Sequence, residues 1–136
     1  MIVLDASAVI DLLLNLSPRS DWVRERIAEC SPQLHAPHLL DAEIAQVLRR
    51  YVIKGEIKAQ DAVAMIEDYA QLSIVKHSHL PLIHRAFELR DNVTIYDALY
   101  LVLAEMLGAT LLTSDSALAR VPGHRAKVEL TVDRPR

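Results

Sequence analysis

The feature that most constrains this chain is a short apolar run closed by an acid: Ile2, Val3 and Leu4 stand together, and Asp5 ends them. A strand apolar on both sides belongs inside a sheet that is covered on both faces. A helical pattern begins directly afterwards at Ala6-Ser7-Ala8-Val9-Ile10. In an open α/β sheet, the end of such a strand faces the crevice where ligands bind. An acid placed there can hold a metal. The question is then which other acids reach the same crevice.

The rest of the chain repeats this alternation. Residues 6–15 read as a helix that Asp5 can cap. Ser17-Pro18 opens a second helix that runs to about Cys30, with Trp22, Val23, Ile27 and Ala28 as its apolar face. Residues 34–36 are a brief strand, and Pro37 leads into a long helix to about Lys54, stopped by Gly55. Residues 57–71 form an amphipathic helix with Ala59, Val63, Ile66 and Tyr69 as core contacts. A strand over 72–76 and a helix over 79–91 follow. Thr94 opens a helix over 96–107 that Gly108 closes, and residues 110–113 are a second buried strand. A short helix over 114–120, a Pro122-Gly123 turn and a strand over 128–132 complete the chain. Short strands alternating with helices imply parallel βαβ units and a three-layer α/β/α fold with a mainly parallel sheet. Right-handed crossovers then set the strand C-terminal ends along one edge.

The 136 residues favour one domain over 1–136, large enough for a core without staples. With 51% hydrophobic and 24% charged residues, the chain is globular rather than disordered. Cys30 is the single cysteine, so an internal disulfide is excluded and a reducing compartment is expected. Cys30 itself reads as packing. No run approaches the roughly 18 apolar residues of a membrane span, and nothing resembling a secretory leader precedes the first strand. A soluble, cytoplasmic protein without a membrane partner is expected. The formal net charge of −3 gives no general attraction for nucleic acid, so a polyanion would need a local basic strip and a metal.

Asp115 lies two residues beyond the strand over 110–113, much as Asp5 stands to the first strand. If the two strands are neighbours, two carboxylates reach one edge. The plainer reading is that each caps the helix after it. Asp97 sits in the first turn of Tyr-Asp-Ala-Leu-Tyr-Leu-Val-Leu-Ala-Glu-Met-Leu. At about 100° per residue, Leu99, Val102, Leu103 and Met106 form one stripe, with Tyr100, Leu101 and Ala104 opposite. A helix apolar nearly all round is buried. Thr94 and Asp97 fit a capping box, but Asp97 also reads as sunk among apolar neighbours, where an acid has a partner. Glu43 lies about 60° from Leu40 on the edge of a stripe formed by Leu40, Ile44, Val47, Leu48 and Tyr51. A lone Glu there is ordinarily a solvated surface residue. Arg50 projects on nearly the same face about 10 Å further along, with Arg49 beside it.

Ile2-Val3-Leu4-Asp5-Ala6-Ser7-Ala8, Asp41-Ala42-Glu43-Ile44, Tyr96-Asp97-Ala98-Leu99-Tyr100 and Leu111-Leu112-Thr113-Ser114-Asp115 together resemble the PIN-domain nucleases, above all the VapC-type toxins of toxin–antitoxin pairs. The resemblance spans about residues 2–120. It implies a metal-dependent ribonuclease whose acidic site is Asp5, Glu43, Asp97 and Asp115. It also implies a VapB-like antitoxin that blocks the site with a basic group, and a homodimer. Where many relatives carry Asn three residues after the Glu, this chain has Gln46, and Thr113 and Ser114 fall where relatives place supporting hydroxyls.

Physical chemistry independently favours a cation. Two carboxylates about 4 Å apart repel by roughly 4 kcal/mol at an effective dielectric near 20. One or two divalent ions would relieve that repulsion, with Asp5, Asp97 and Asp115 the expected ligands within the acidic site that the resemblance implies, and all-oxygen ligation suits Mg²⁺ or Mn²⁺ rather than zinc. Asp115 or Glu43 then orients the attacking water, and Arg49 and Arg50 contact RNA phosphates. His35/His38 and His77/His79 lack the further ligands of a zinc site. Three glycines leave no phosphate-cradling loop. Alternative readings are a housekeeping PIN enzyme acting on RNA or DNA and an inactive PIN-like binding module, against which the four acids argue. A phospho-acceptor receiver domain would need an acidic pair after the first strand and a late Lys that this chain lacks.

Overall fold

In the computed structural model, which describes residues 1–29 and 33–131, the apolar runs become β1 (Ile2–Leu4), β2 (Leu34–Pro37), β3 (Ile74–His77), β4 (Thr110–Thr113) and β5 (Lys127–Leu130). They pair in parallel in the order β3-β2-β1-β4-β5. The helices are α1 (Ala6–Leu14), α2 (Arg19–Ala28), α3 (Leu39–Ile53), α4 (Ala59–Gln71), α5 (Leu80–Glu88), α6 (Ile95–Leu107) and α7 (Ser116–Ala119).

β1 is the central strand. Ile2 lies level with Leu34 on one side and Thr110 on the other. Its three residues alternate in direction, yet Ile2 is 2% exposed and Val3 and Leu4 are 0%, so helices cover both faces. α6 lies across β1, β2 and β4 and carries α5 on its back, whereas α1 packs on α2, α3 and α4. The result is the expected three-layer α/β/α architecture. From β1 the chain moves outward to β2 and β3, then returns to β4 on β1's other side. That reversal makes the carboxyl ends of β1 and β4 the natural ligand crevice.

α6 forms because its sequence is apolar around the whole cylinder. Residues 98–104 are all buried. Thr94 caps it by accepting the Asp97 N–H at 3.2 Å, and Gly108 ends it at φ 62, a left-handed conformation that suits glycine. Met106 does not share the buried stripe; it is 59% exposed. Val63 and Ile66 of α4 also point outward, and only Ala62 and Tyr69 of that helix are buried. Periodicity marks a face, but the covering element must be long enough to reach it. Pro37 ends β2 opposite His77 rather than starting α3. β3 starts at Ile74 because residues 72–74 are a turn, in which the Ile74 N–H donates to the Leu72 carbonyl at 3.1 Å. Cys30 and Val132 lie outside the described residues.

Polar links tie distant segments to this core. Arg26 of α2 donates to both carboxylate oxygens of Glu129 in β5, at 2.7 and 3.2 Å. Thr131 donates to Asp11 of α1 at 3.1 Å. Arg85 of α5 grips Glu105 of α6 in the same two-pronged way, at 2.9 and 3.1 Å. Among the described residues, no helix is long and apolar enough to cross a membrane.

Leu111 sits at the middle of β4 with 0% exposure. Leu111→Ala is expected to lower unfolding free energy by about 2–5 kcal/mol. Urea denaturation followed by circular dichroism checks this, and an unchanged midpoint would contradict the packing described.

Candidate active site

The carboxyl ends of β1 and β4 open into a cleft of about 410 Å³. Its wall contains Asp5, Glu43, Asp97 and Asp115 together. Four separate segments supply them: the end of β1, the first half of α3, the first turn of α6 and the turn after β4.

Asp5 is the buried member, 6% exposed. Its Oδ1 accepts the Ala8 N–H at 3.0 Å, which caps α1, and the Ser7 hydroxyl at 2.6 Å. Its Oδ2 accepts the Thr113 hydroxyl. The same two hydroxyls also accept from the backbone of the turn after β4. Ser7 Oγ accepts the Ser114 N–H at 2.9 Å, and Thr113 Oγ1 accepts the Asp115 N–H at 3.0 Å. Each hydroxyl has one proton to give, and both go to Asp5. The 3.2 Å approach of Ser7 and Thr113 to each other therefore carries no further bond. Burial is the dominant influence on this carboxyl and raises it from 3.8 to about 6, against the three hydrogen bonds; the charge of Glu43 adds to the rise.

Glu43 is half-buried at the edge of the α3 stripe, and the phenol of Tyr100 donates to its Oε1. Burial pushes Glu43 above its ordinary range, and the Asp97 charge pushes it further, while Arg50 acts in the opposite direction. Asp97 is half-buried like Glu43, packed on one side and open to the cleft on the other. It too is raised, by burial first and then by the charge of Asp115. Asp115 caps α7, accepting the Ala117 N–H at 2.9 Å. The capping readings for Asp5 and Asp115 thus hold, and each caps a helix while facing the cleft. The repulsions link Asp5 to Glu43, Glu43 to Asp97 and Asp97 to Asp115 in one chain.

Arg50 lines the cleft, whereas Arg49 is exposed outside its wall. Gln46 is also exposed. Of the two hydroxyl candidates, Thr113 engages Asp5 directly and Ser114 contributes its backbone N–H. Sequence reasoning gave no role to Ser7, Tyr100 or Arg19. By periodicity Tyr100 belongs to the apolar packing of α6, and only its hydroxyl marks it as more. Among the described residues, no three Asp, Glu, His or Cys side chains form a closed ligand cluster; the carboxylates share a cleft and leave space between them. That all-oxygen donor set, with its mutual repulsion, fits a hard divalent cation. The histidines engage one another and the backbone. His35 Nδ1 and His77 Nε2 lie 2.8 Å apart, and His79 Nε2 accepts the Leu39 N–H at 2.9 Å.

The PIN-domain family profile matches residues 2–124. The chain is 41% identical to ribonuclease VapC1 of Mycobacterium tuberculosis over 129 residues, 94% of this chain and 96% of that protein. Its fold superposes on VapC20 of Mycobacterium tuberculosis, described as a sarcin-ricin loop cleaving toxin, with TM-score 0.69 and 15% identity over 90% of this chain and 95% of that one. It also superposes on a toxin–antitoxin complex from Klebsiella pneumoniae, with TM-score 0.64 and 17% identity over 98% of this chain and 100% of that one.

The raised Asp5 carboxyl makes the fold pH-dependent. Below pH 3.8 Asp5 is neutral in folded and unfolded chains alike, so it costs nothing. Between 3.8 and about 6 the folded form binds the extra proton, and its advantage is lost as pH rises through 6. Above that, the cost is about 3 kcal/mol. Asp5→Asn is therefore expected to stabilise the chelator-treated protein at pH 7–8 but not near pH 3.5. Thermal unfolding of both forms across that range tests it, and equal pH profiles would contradict it.

Proposed function

Because this chain belongs to the PIN-domain family, and within it to the VapC-type proteins, we propose that it is a Mg²⁺- or Mn²⁺-dependent endoribonuclease toxin acting as one domain. The observation that carries this reading is the gathering of Asp5, Glu43, Asp97 and Asp115 into one cleft, where three of the four are raised by burial and by a neighbouring acid. Asp5, Asp97 and Asp115 would hold the ion. Bound there, it supplies polarisation of a phosphate oxygen and a lower pKa for water.

The chain's own residues do the rest. Ser7 and Thr113 fix both oxygens of Asp5, so its carboxylate presents one orientation to the cleft. Tyr100 holds one oxygen of Glu43 from the opposite helix. Glu43 is the carboxylate to accept the proton of an attacking water, since a raised pKa makes it a better base than an ordinary Glu. Arg50, on the same wall, contacts the phosphate backbone. Arg49 extends that contact outside the cleft.

The ribonuclease name of the 41% identical relative supports RNA as substrate, and the Klebsiella complex supports an antitoxin partner. In this reading a VapB-like antitoxin brings a basic group to the acids and neutralises them, the working form is a homodimer, and the protein acts in the cytoplasm.

Asp5→Asn and Asp97→Asn are each expected to lower metal-dependent RNA cleavage by about three orders of magnitude, as loss of a member of a catalytic unit does. Both variants should keep a cooperative thermal transition, and chelation should silence the unaltered protein. Full cleavage by either variant would refute the assignment.

A further inference from the structure

The cleft continues beyond the acids. At one end it joins a second hollow of about 300 Å³, and the two share Asp11, Arg19 and Tyr51 as a common wall. The remaining wall of that hollow is largely apolar, with Leu14, Leu16 and Pro18. Leu16 is 63% exposed. Arg50 and Tyr51 are consecutive on α3, and Arg19 opens α2. One guanidinium group, Arg19, and one phenol ring thus border an apolar hollow next to an acidic centre, with Arg50 on the adjoining wall of the cleft. The opposite end differs. Past Asp97 and Asp115 lies a hollow of about 250 Å³ lined by Asn92, Thr94 and Val121 among others, without Lys or Arg.

Hydrolysis by the acids accounts for neither the apolar hollow nor this asymmetry. We propose that the hollow is a nucleobase subsite, which takes one unpaired nucleotide of a single-stranded RNA beside the bond to be cut. The inference rests on the nuclease reading above.

The chemistry of each wall fits that occupant. A flat base gains from an aromatic face and from apolar contact regardless of its identity. Guanidinium groups suit the flanking phosphates through paired N–H donors. Asp11 lies 4.0 Å from Arg19 and accepts from Thr131. Its negative charge directs Arg19 while repelling phosphate from the hollow itself, so the base rather than the backbone enters. Bases in a duplex are already stacked and paired, and only a splayed base can reach such a pocket.

The test uses the full chain with Mn²⁺ and end-labelled single-stranded RNAs, extended one nucleotide at a time on each side of the cleaved bond. One extension should raise kcat/KM by about ten- to a hundredfold in the unaltered protein, in line with base–aromatic stacking. Tyr51→Phe should keep that gain, and Tyr51→Ala should lose it mainly through KM. Leu16→Asp, at an exposed position, should lose it as well and serves if Tyr51→Ala fails to fold. Arg19→Ala should reduce the slope of log affinity against log salt by about 0.7, one phosphate's worth on a single strand. If Tyr51→Ala or Leu16→Asp, once folded, keeps the full gain while RNA is still cut, the subsite is refuted and the nuclease reading stands. Preference for duplex over single-stranded RNA would also refute it. Failure of the unaltered protein to cut RNA of any length would overturn the nuclease reading, and the subsite with it.

Discussion

Like charges held together against their own repulsion are the constraint on which the rest of this molecule depends. Left to themselves, four carboxylates would separate into water, where two of them a few ångströms apart still repel. Here parallel pairing of β1 with β4 fixes the two strand ends side by side. The hydroxyls of Ser7 and Thr113 then join Asp5 to the backbone of residues 114 and 115. Asp5 and Asp115 cannot drift apart without breaking the sheet or these bonds. A fold that accepts such a cost at one place must recover it in its core, and β1, the Leu111–Thr113 part of β4 and residues 98–104 of α6 are buried.

The topology explains why the remaining two acids arrive at the same place. Because the chain leaves β1 on one side and re-enters at β4 on the other, helices that begin at the sheet's carboxyl edge point their first turns at the crevice. α6 delivers Asp97 in this way, and α3 delivers Glu43 slightly deeper. The Tyr100–Glu43 hydrogen bond then ties the two helices across the cleft. Arg50 follows Glu43 two turns along the same helix face, so one rigid element carries both an acid and a cation.

Much of this was readable from the residues. The alternation of short apolar runs with helical stretches required a parallel α/β fold, because both faces of Ile2-Val3-Leu4 needed cover. Asp5 and Asp115 stood out because each follows an apolar strand. What the residues hid has a physical cause. Period shows which side of a helix is apolar, but not whether another element reaches it, so Met106, Val63 and Ile66 read as core and lie exposed. Asp97 read as sunk because its neighbours are apolar, yet the first turn of α6 opens on the cleft. Ser7 and Tyr100 were hidden for a further reason: their hydroxyl partners are distant in sequence or shared between strands. Arg19 gave no signal, since its setting is formed by α3 and the start of α2 together.

The links from the last strand carry a consequence in time. Arg26 is held by Glu129 and Asp11 by Thr131, so the segment bearing Arg19 is anchored to the sheet by residues translated after every acid in the cleft. A growing chain can possess all four carboxylates before that anchor exists. Maturation of the groove therefore follows synthesis of β5, and a nascent polypeptide still threaded in its ribosome would carry the four acids beside an unanchored α2.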